Sequence, residues 1–178
     1  EHCSGYIYGE KTIFGFTQTH LNGTGCPDLG DVRILPVGKK KDCPFDKGSE
    51  IAMPGYYAVT LTDPAVRVEV SAAAHSSIYR LTAKADGELK LLVEPKSMFG
   101  KTTEIEKRVG EAGVSGAYRS KGWADRTVGY AVEFNRAARA ENQDVFSFDL
   151  KAGEMLMVKV GLSCKPSDAA RQNLAAEI

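Results

Sequence analysis

The sequence has no excess of charge of either sign. Its 178 residues include 23 lysines and arginines and 23 aspartates and glutamates, so the formal net charge is zero. The only run of basic residues is 39–41, which follows a glycine and is typical of a solvated loop. Without a basic surface, neither nucleic acid nor an anionic membrane is expected as the main partner.

Long hydrophobic runs are also missing. No segment approaches the roughly 20 apolar residues that a membrane-spanning helix requires, so we expect no membrane as a partner. The sequence begins Glu1-His2-Cys3, without the basic and apolar leader of a signal peptide. A mature secreted protein would have lost such a leader, and its absence therefore does not fix the compartment.

Cysteines are few and far apart. None of the four belongs to a CxxC pair, which argues against a zinc site; they are Cys3, Cys26, Cys43 and Cys164. One or two disulfides are compatible with this spacing, and so are buried thiols.

What the sequence contains in abundance is short runs of alternating apolar and polar residues. Residues 56–62 and 66–70 alternate on either side of Asp63-Pro64, which predicts a hairpin. Two more hairpins are predicted, with turns at 86–87 and 152–153, and residues 38–54 are predicted to be a surface loop. The other predicted strands are 5–8, 13–18, 31–37, 77–82, 88–93, 103–109, 114–119, 128–134, 145–150 and 155–160.

Only the last segment is predicted to be helical. Pro166-Ser167-Asp168 is typical of a helix start, because an acidic residue there complements the helix dipole, and good helix formers follow from 169 to 177. About ten short strands followed by one helix predict an all-β fold, an antiparallel β-sandwich with one C-terminal helix.

A polar loop between the predicted strands at 13–18 and 31–37 stands out from this pattern. Four of its residues disfavour a regular helix or strand there, namely Gly23, Gly25, Pro27 and Gly30. Long irregular loops inside compact domains are uncommon and are often functional. We therefore expect this loop to approach a ligand closely.

The same loop holds the candidate chemistry. Glycoside hydrolysis uses two carboxylates, and Asp28 and Asp31 form such a pair, although turn formation is the favoured interpretation of both. His20 suits a ligand contact and a structural hydrogen bond equally well. Cys26 has only His20 as a base within the loop, and a Cys–His nucleophile needs hydrogen-bond reach, so this alternative is disfavoured.

Trp123 is the only tryptophan of the sequence. An exposed indole can stack on the apolar face of a sugar ring, but a lone tryptophan between strands is more often part of the core, and we expect the core position. Taken alone, the residues predict a β-sandwich with one polar loop and no complete catalytic constellation.

Four segments add a resemblance to this interpretation, because they occur in the order of one known family. They are CSGYIY at 3–8, GFTQTHLNGTGCPDLGDVRILP at 15–36, PGYYAVTLTDPAVRVEVSA at 54–72 and MVKVGLSCKPSDAARQNLAAEI at 157–178. The sequence resembles glycoside hydrolase family 92, the calcium-dependent exo-acting α-mannosidases of N-glycan degradation, whose loop reads GFSHTHLSGTG. The resemblance covers most of the chain and is weak at 37–53 and 94–116.

The resemblance implies an N-terminal β-sandwich domain that packs against a larger catalytic α/α-barrel of the same protein. It implies residues 1–166 as the sandwich and 167–178 as a helix leading towards the barrel. In the family the barrel supplies the general acid, the general base and most calcium ligands, so this chain alone is expected to be inactive. The parent enzyme would invert the anomeric carbon and be periplasmic or secreted in a bacterium.

The resemblance also implies that the loop reaches an α-mannoside glycan at the domain interface. No catalytic residue and no metal ligand is assigned to this chain. The substrate-binding residues implied by position are Gln18, Thr19, His20, Gly25, Cys26 and Asp28, with Gly23, Thr24 and Asp31 nearby. Gln18 departs from the family, which has histidine there; glutamine can hydrogen-bond a hydroxyl but does not titrate near neutral pH.

Two alternatives to this function come from other classes. The chain could be a stand-alone carbohydrate-binding module in which Trp123 or the loop holds a sugar. It could also be a structural interaction domain, which predicts an exposed apolar patch where a partner docks.

Overall fold

The computed structural model describes residues 6–21, 28–39 and 43–178. These residues form two antiparallel sheets and one helix, which confirms the predicted all-β sandwich with a C-terminal helix. The smaller sheet contains, in spatial order, β11 (Arg139–Ala140), β12 (Val145–Leu150), β7 (Gly87–Ser97) and β2 (Asp31–Val37).

The larger sheet has nine strands in the described part of the chain. In spatial order they are β1 (Thr12–Ile13), β3 (Cys43–Met53), β4 (Tyr56–Thr62), β5 (Ala65–Ala72), β6 (Ser76–Ala83), β13 (Met155–Ser163), β10 (Asp125–Phe134), β9 (Gly113–Lys121) and β8 (Lys101–Gly110). The predicted hairpin of β4 and β5 is confirmed, with Val59 opposite Val68.

The core lies between the two sheets because strands alternate their side chains. In β7, Leu89, Leu91 and Val93 point to one face and are buried. Phe134 of the larger sheet meets two rings of β12, with its centroid 5.1 Å from that of Phe146 and 5.2 Å from that of Phe148. Each fully buried aliphatic or aromatic side chain contributes about 1.5–3 kcal/mol.

Two of the predicted hairpins are wrong, because their strands belong to different sheets. β6 pairs with β5 and β13, whereas β7 pairs with β12 and β2, so the turn at 86–87 carries the chain from one sheet to the other. The turn at 152–153 makes the return crossing between β12 and β13. The crossings lie side by side, and the Gly153 N–H donates to the Ala83 carbonyl at 2.8 Å. Alternation identifies a strand but not its partner.

The predicted surface loop at 38–54 is also wrong over most of its length. Residues 43–53 form β3, which pairs with β4 and changes register between Asp46 and Ile51. The polar residues that suggested a loop form this irregularity, where the Gly48 N–H donates to Asp46 Oδ1 at 3.0 Å. Cys43 is buried, and its thiol donates to the Pro36 carbonyl at 2.9 Å.

Two short strands near the start were predicted too long or in the wrong place. Residues 6–8 are irregular, and Gly5 lies outside the described residues. Of the strand predicted at 13–18, only Ile13 belongs to β1, and Phe16 makes an isolated bridge to Ile34.

The helix, α1 (Ser167–Glu177), lies on β13 and β10 of the larger sheet. Ala170 and Leu174 are its buried contacts. Two glycines of the sheet permit this close approach: a Cβ at Gly129 would lie 1.9 Å from the Lys165 carbonyl oxygen, and one at Gly161 would lie 2.4 Å from that of Ala170. Within the described ranges, no helix is long and apolar enough to span a membrane.

The end of the helix is fastened to the turn before β6. Glu177 accepts hydrogen bonds from the backbone N–H of His75 at 2.9 Å and from the Ser76 hydroxyl, and its other oxygen lies 2.7 Å from His75 Nδ1. These hydrogen bonds, that of Ser76 first, lower the pKa of Glu177 to about 2. The helix is therefore held at its buried face and at its last turn.

Candidate functional site

The two ends of the polar loop are drawn together by backbone hydrogen bonds. The Gln18 N–H donates to the Asp31 carbonyl at 2.8 Å, and the Gly30 N–H donates to the Thr19 carbonyl at 3.0 Å. His20 bridges Leu29 in the same antiparallel sense. Residues 17–20 and 28–31 thus form a narrow ribbon, and we call these two segments the loop base. Gly25 and Cys26 lie outside the described residues, so the Cys26–His20 pair does as well.

Asp31 is the buried centre of the loop base, with 1 % of its surface exposed. Thr19 Oγ1 donates to its Oδ2 at 2.6 Å, and the Tyr118 hydroxyl donates to Oδ1 at 2.7 Å. Arg126 Nη2 lies 3.0 and 2.9 Å from the two oxygens. A buried carboxylate is tolerated when charge and hydrogen bonds compensate it, as here. Asp31 therefore fixes the ribbon to β9 and β10.

Tyr118 and Arg126 show what this buried charge does to its neighbours. Burial, together with the negative charge of Asp31, raises the pKa of Tyr118 far above its ordinary value, so its hydroxyl stays a donor. Within the described residues, Nη1 of Arg126 is buried without a hydrogen-bond partner. Both residues were missed by sequence reasoning, since they lie 87 and 95 positions from Asp31 and only the fold brings them together.

Asp28 is also buried, with 3 % of its surface exposed. Its Oδ1 accepts the Leu29 N–H at 2.7 Å, and its Oδ2 accepts the Ala124 N–H at 3.1 Å. Burial alone would raise the pKa of Asp28, but these backbone donors and the charge of Arg126 hold it below its ordinary value. An ionised carboxylate with both oxygens bonded to protein is a poor general acid.

Gln18 uses its whole amide to fasten the ribbon to β6. Its Nε2 donates to the Tyr79 hydroxyl at 2.6 Å and to the Val32 carbonyl at 3.3 Å, and its Oε1 accepts from the Ser77 hydroxyl. Tyr79 is fully enclosed, and this burial raises its pKa to about 12. Gln18, half-buried between these groups, therefore has its position set by the sheet.

His20 is the exposed member of the loop base. Its Nε2 lies 3.1 Å from Thr17 Oγ1, with the donor set by the tautomer. Desolvation by the surrounding residues lowers the pKa of His20, so the ring is neutral at pH 7. A neutral imidazole has one donor and one acceptor nitrogen, and in His20 one of the two, Nε2, is already used by Thr17.

A cleft of about 340 Å³ runs along one side of the loop base. Its volume is at the lower end of the range found for small-molecule sites, which suits a ligand the size of one sugar. Its lining includes Gln18, Thr19 and Asp31 of the loop base together with residues 72–77, 126–128 and 162–164. His20 and Asp28 are not among the lining residues. Asp28 instead faces the turn between β9 and β10.

Trp123 lies in that turn, and the prediction that it belongs to the core is wrong. The indole is 77 % exposed rather than part of the core. It lies at the tip of the turn, beside an Ala124 N–H that donates to Asp28. A residue at the tip of a hairpin has no second sheet above it, which the sequence pattern alone did not reveal.

The described residues do not fit a calcium site. No three of their histidine, cysteine, aspartate or glutamate side chains lie together in a way that could hold a metal. In the loop base, the oxygens of Asp28 and Asp31 accept hydrogen bonds from protein donors.

Known proteins resemble this chain in sequence and in fold. Residues 1–144 match the family model described as the glycosyl hydrolase family 92 N-terminal domain. No curated protein matches the sequence significantly. A solved family GH92 α-mannosidase from Bacteroides thetaiotaomicron is similar, with 25 % identity and a TM-score of 0.82 over 98 % of this chain and 29 % of that one.

Two further solved structures share this fold. The same α-mannosidase in complex with mannoimidazole gives 25 % identity and a TM-score of 0.81, over 98 % of this chain and 29 % of that one. A family GH92 inverting mannosidase from Bacteroides thetaiotaomicron VPI-5482 shares the fold, with 22 % identity, a TM-score of 0.78 and coverage of 98 % and 27 %. This chain thus spans less than a third of the length of these enzymes. Since the family model matches well over half of the chain, the chain belongs to the glycosyl hydrolase family 92 N-terminal domain family.

Proposed function

We propose that this chain is the non-catalytic N-terminal domain of an exo-α-mannosidase and that its loop base forms one wall of the mannoside site. The observation that carries the proposal is the buried Asp31 centre. Asp31 holds Thr19 and the rest of the loop base in place beside a cleft. These residues belong to the segment that carries the family resemblance. A site wall on a rigid scaffold is what oriented binding of a sugar requires.

The catalytic carboxylates are assigned to a second domain of the same protein. Glycoside hydrolysis needs a carboxylic acid that can give up a proton and a carboxylate free to act on water or sugar. Asp28 and Asp31 are both buried and bonded to protein groups, which suits support and not proton transfer. We therefore place the acid, the base and most calcium ligands in an α/α-barrel that follows residues 1–166, with 167–178 as the connecting helix.

The six predicted binding residues then divide by role. His20 is exposed and is proposed to hydrogen-bond the mannoside. Thr19 lines the cleft, but its hydroxyl donates to the Asp31 carboxylate and accepts the Asp31 N–H, so its proposed contact with the mannoside is one of packing. Gln18 and Asp28 position them, because their polar atoms are used within the protein. Gly25 and Cys26 keep their proposed contact with the substrate. The enzyme is proposed to act as a calcium-dependent, inverting hydrolase in the periplasm or outside a bacterial cell.

The test compares the whole protein with this chain alone. The whole protein should release mannose from α-mannobioses, and the isolated chain should release none. In the whole protein, His20→Ala should lower kcat/KM about tenfold, the size of one lost hydrogen bond to a ligand. His20→Gln, which retains a donor and an acceptor, is the matched control and should recover part of the activity. Release of mannose by the isolated chain would refute the proposal.

A stand-alone carbohydrate-binding module is the second candidate. The observation in its favour is the exposed indole of Trp123, which suits sugar binding without a catalytic domain. This alternative predicts that the isolated chain binds mannobiose in a calorimeter at millimolar concentration. A titration that releases or absorbs no measurable heat of binding would exclude this alternative.

A further inference from the structure

His75 lies in the turn between β5 and β6 and lines the cleft beside the loop base. Its side chain is 61 % exposed. Two backbone hydrogen bonds hold the turn: the Ala73 N–H donates to the Ser76 carbonyl at 2.8 Å, and the Leu162 N–H donates to the His75 carbonyl at 2.8 Å. The imidazole is therefore carried on a fixed backbone and is open to a ligand.

Glu177 determines which nitrogen of this imidazole carries the proton. Its Oε1 lies 2.7 Å from Nδ1 of His75, while its Oε2 accepts the His75 N–H at 2.9 Å and the Ser76 hydroxyl. Because an ionised carboxylate can only accept hydrogen bonds, the neutral ring holds its proton on Nδ1. Nε2 is then an acceptor, and it has no hydrogen-bond partner among the described residues. A carboxylate partner orients the ring as well as fixing its tautomer.

The lining of the cleft favours a neutral ligand. Its described residues include one carboxylate and one guanidinium, those of Asp31 and Arg126, which neutralise each other in an ion pair at 2.9 Å. Such a lining attracts a phosphate, a carboxylate or a metal ion only weakly. Hydroxyl groups and small apolar side chains stand side by side in it, among them Thr17, Ser163, Val70, Ala72, Ala74 and Leu162. A ligand with both C–H groups and hydroxyl groups, such as one pyranose ring, matches this surface and the volume of about 340 Å³.

We propose that His75 is a specificity-determining residue of the mannoside site, whose Nε2 accepts a hydrogen bond from one hydroxyl of the terminal mannose. Glu177 acts through the imidazole as a positioning residue. The inference rests on the proposed function, because it takes the cleft as the place of the mannose. The polar side-chain atoms of Gln18, Thr19 and Asp31 are already bonded within the protein, so His75 supplies an acceptor that these residues do not.

The experiment measures kcat/KM of the whole protein for an α-mannobiose that it hydrolyses and for analogues that each lack one hydroxyl of the terminal mannose. A site that hydrogen-bonds a hydroxyl rejects the analogue without it. His75→Phe keeps a ring and removes both nitrogens. It should lower kcat/KM about tenfold for every compound that has the recognised hydroxyl and leave the analogue without that hydroxyl unchanged. Each variant is compared with the unmodified protein on the same compound, so differences in intrinsic reactivity cancel.

Three further variants separate recognition from support of the fold. His75→Gln retains an acceptor and a donor and should lose less discrimination. In Glu177→Gln the amide oxygen stays with the His75 N–H and the NH₂ group faces Nδ1, so the proton moves to Nε2 and the same discrimination should weaken. Lys159→Met is the matched control. Lys159 Nζ donates to the Ile178 carbonyl at 2.9 Å and holds the same end of α1, but Lys159 does not line the cleft, and the discrimination should be unchanged.

Other outcomes overturn the inference. Equal losses with all compounds in His75→Phe would mean that His75 only supports the fold, and no loss with any would mean that it touches no substrate. Full discrimination in Glu177→Gln would reject the positioning role of Glu177. If the unmodified protein hydrolyses no α-mannobiose, the proposed function fails, and calorimetric titration with the same compounds decides about His75 separately. Weaker binding by His75→Phe, restricted to compounds with one particular hydroxyl, would support the inference. Absence of binding by the unmodified protein, or equal binding by the variant, would reject it.

Discussion

Replacing Asp31 by asparagine tests whether the buried carboxylate holds the loop base together. The change keeps the shape of the side chain and removes its charge. An amide has one acceptor oxygen, but the carboxylate receives hydrogen bonds at both oxygens, from Thr19, Tyr118 and Arg126. One oxygen position would become an NH₂ group facing donors. The Arg126 guanidinium would lose the carboxylate with which it forms its ion pair.

The size of the effect follows from burial. Removing one partner of a buried ion pair costs about 3–5 kcal/mol, chiefly because the remaining charge is left uncompensated. The Asp31 side chain is 2 % exposed and that of Arg126 is 19 % exposed, so solvent relieves a part of the cost. We expect the lower end of the range, about 3 kcal/mol. For a domain of this size that lowers Tm by about 6–12 °C.

Thermal unfolding followed by far-UV circular dichroism measures this difference. The matched control is Asp125→Asn, the same exchange in an ion pair with Arg119 whose side chains are 44 % and 57 % exposed. Solvent screens that pair, and its Tm should stay close to that of the unmodified protein. If Asp31→Asn shifted Tm no more than Asp125→Asn does, the reasoning about the buried centre would be refuted.

Three further substitutions or conditions test other parts of the structure. Gly129→Ala places a methyl group against the Lys165 carbonyl and should destabilise by about 1–3 kcal/mol in urea unfolding, whereas Gly110→Ala, whose nearest neighbour would be 3.9 Å away, should not. Leu91→Ala should cost about 2–5 kcal/mol in the same assay, and a smaller loss would contradict its place in the core. Because the pKa of Glu177 is lowered from 4.5 to about 2, its stabilising effect is complete above pH 4.5 and is lost as pH falls towards 2. A fall in the protection factors of the helix amides over that interval, measured against the intrinsic exchange rate at each pH and absent in Glu177→Gln, would confirm it.

Strand positions were predictable where alternation is clean. Residues 31–37 and 56–62 have the predicted bounds. Residues 31–37 are a mostly apolar run that is buried on both faces, whereas in 56–62 apolar and polar residues alternate. Residues 43–53 were missed because β3 lies near the edge of the larger sheet and contains a polar irregularity. Of the three predicted hairpins, only that of β4 and β5 pairs as predicted. The turn between these strands is too tight for the chain to cross to the other sheet. Turns of similar composition at 86–87 and 152–153 change sheets instead.

The position of the polar loop was predictable, but the residues that support it were not, and its contact with a substrate stays a prediction. Glycine, proline and polar residues between two strands pointed to the loop, and Gln18 and Thr19 do line a cleft. Ser77, Tyr118 and Arg126 carry no local signal, because their contacts depend on which strands become neighbours. Trp123 was misplaced for a related reason. Its exposure follows from its place in the turn between β9 and β10, where the sequence pattern gives no sign of whether another element covers it.

The order of the larger sheet leaves β8 as its last strand, with a backbone edge that could accept a strand from another molecule. Such edges favour polymerisation unless charge or irregular geometry blocks them. β8 carries five charged residues among ten, and its pairing with β9 shifts between Glu104 and Glu106. A second copy that paired with this edge would have to desolvate these charged side chains and would meet an irregular ladder. A wide, open sheet can in this way persist at high concentration without growing into a fibre.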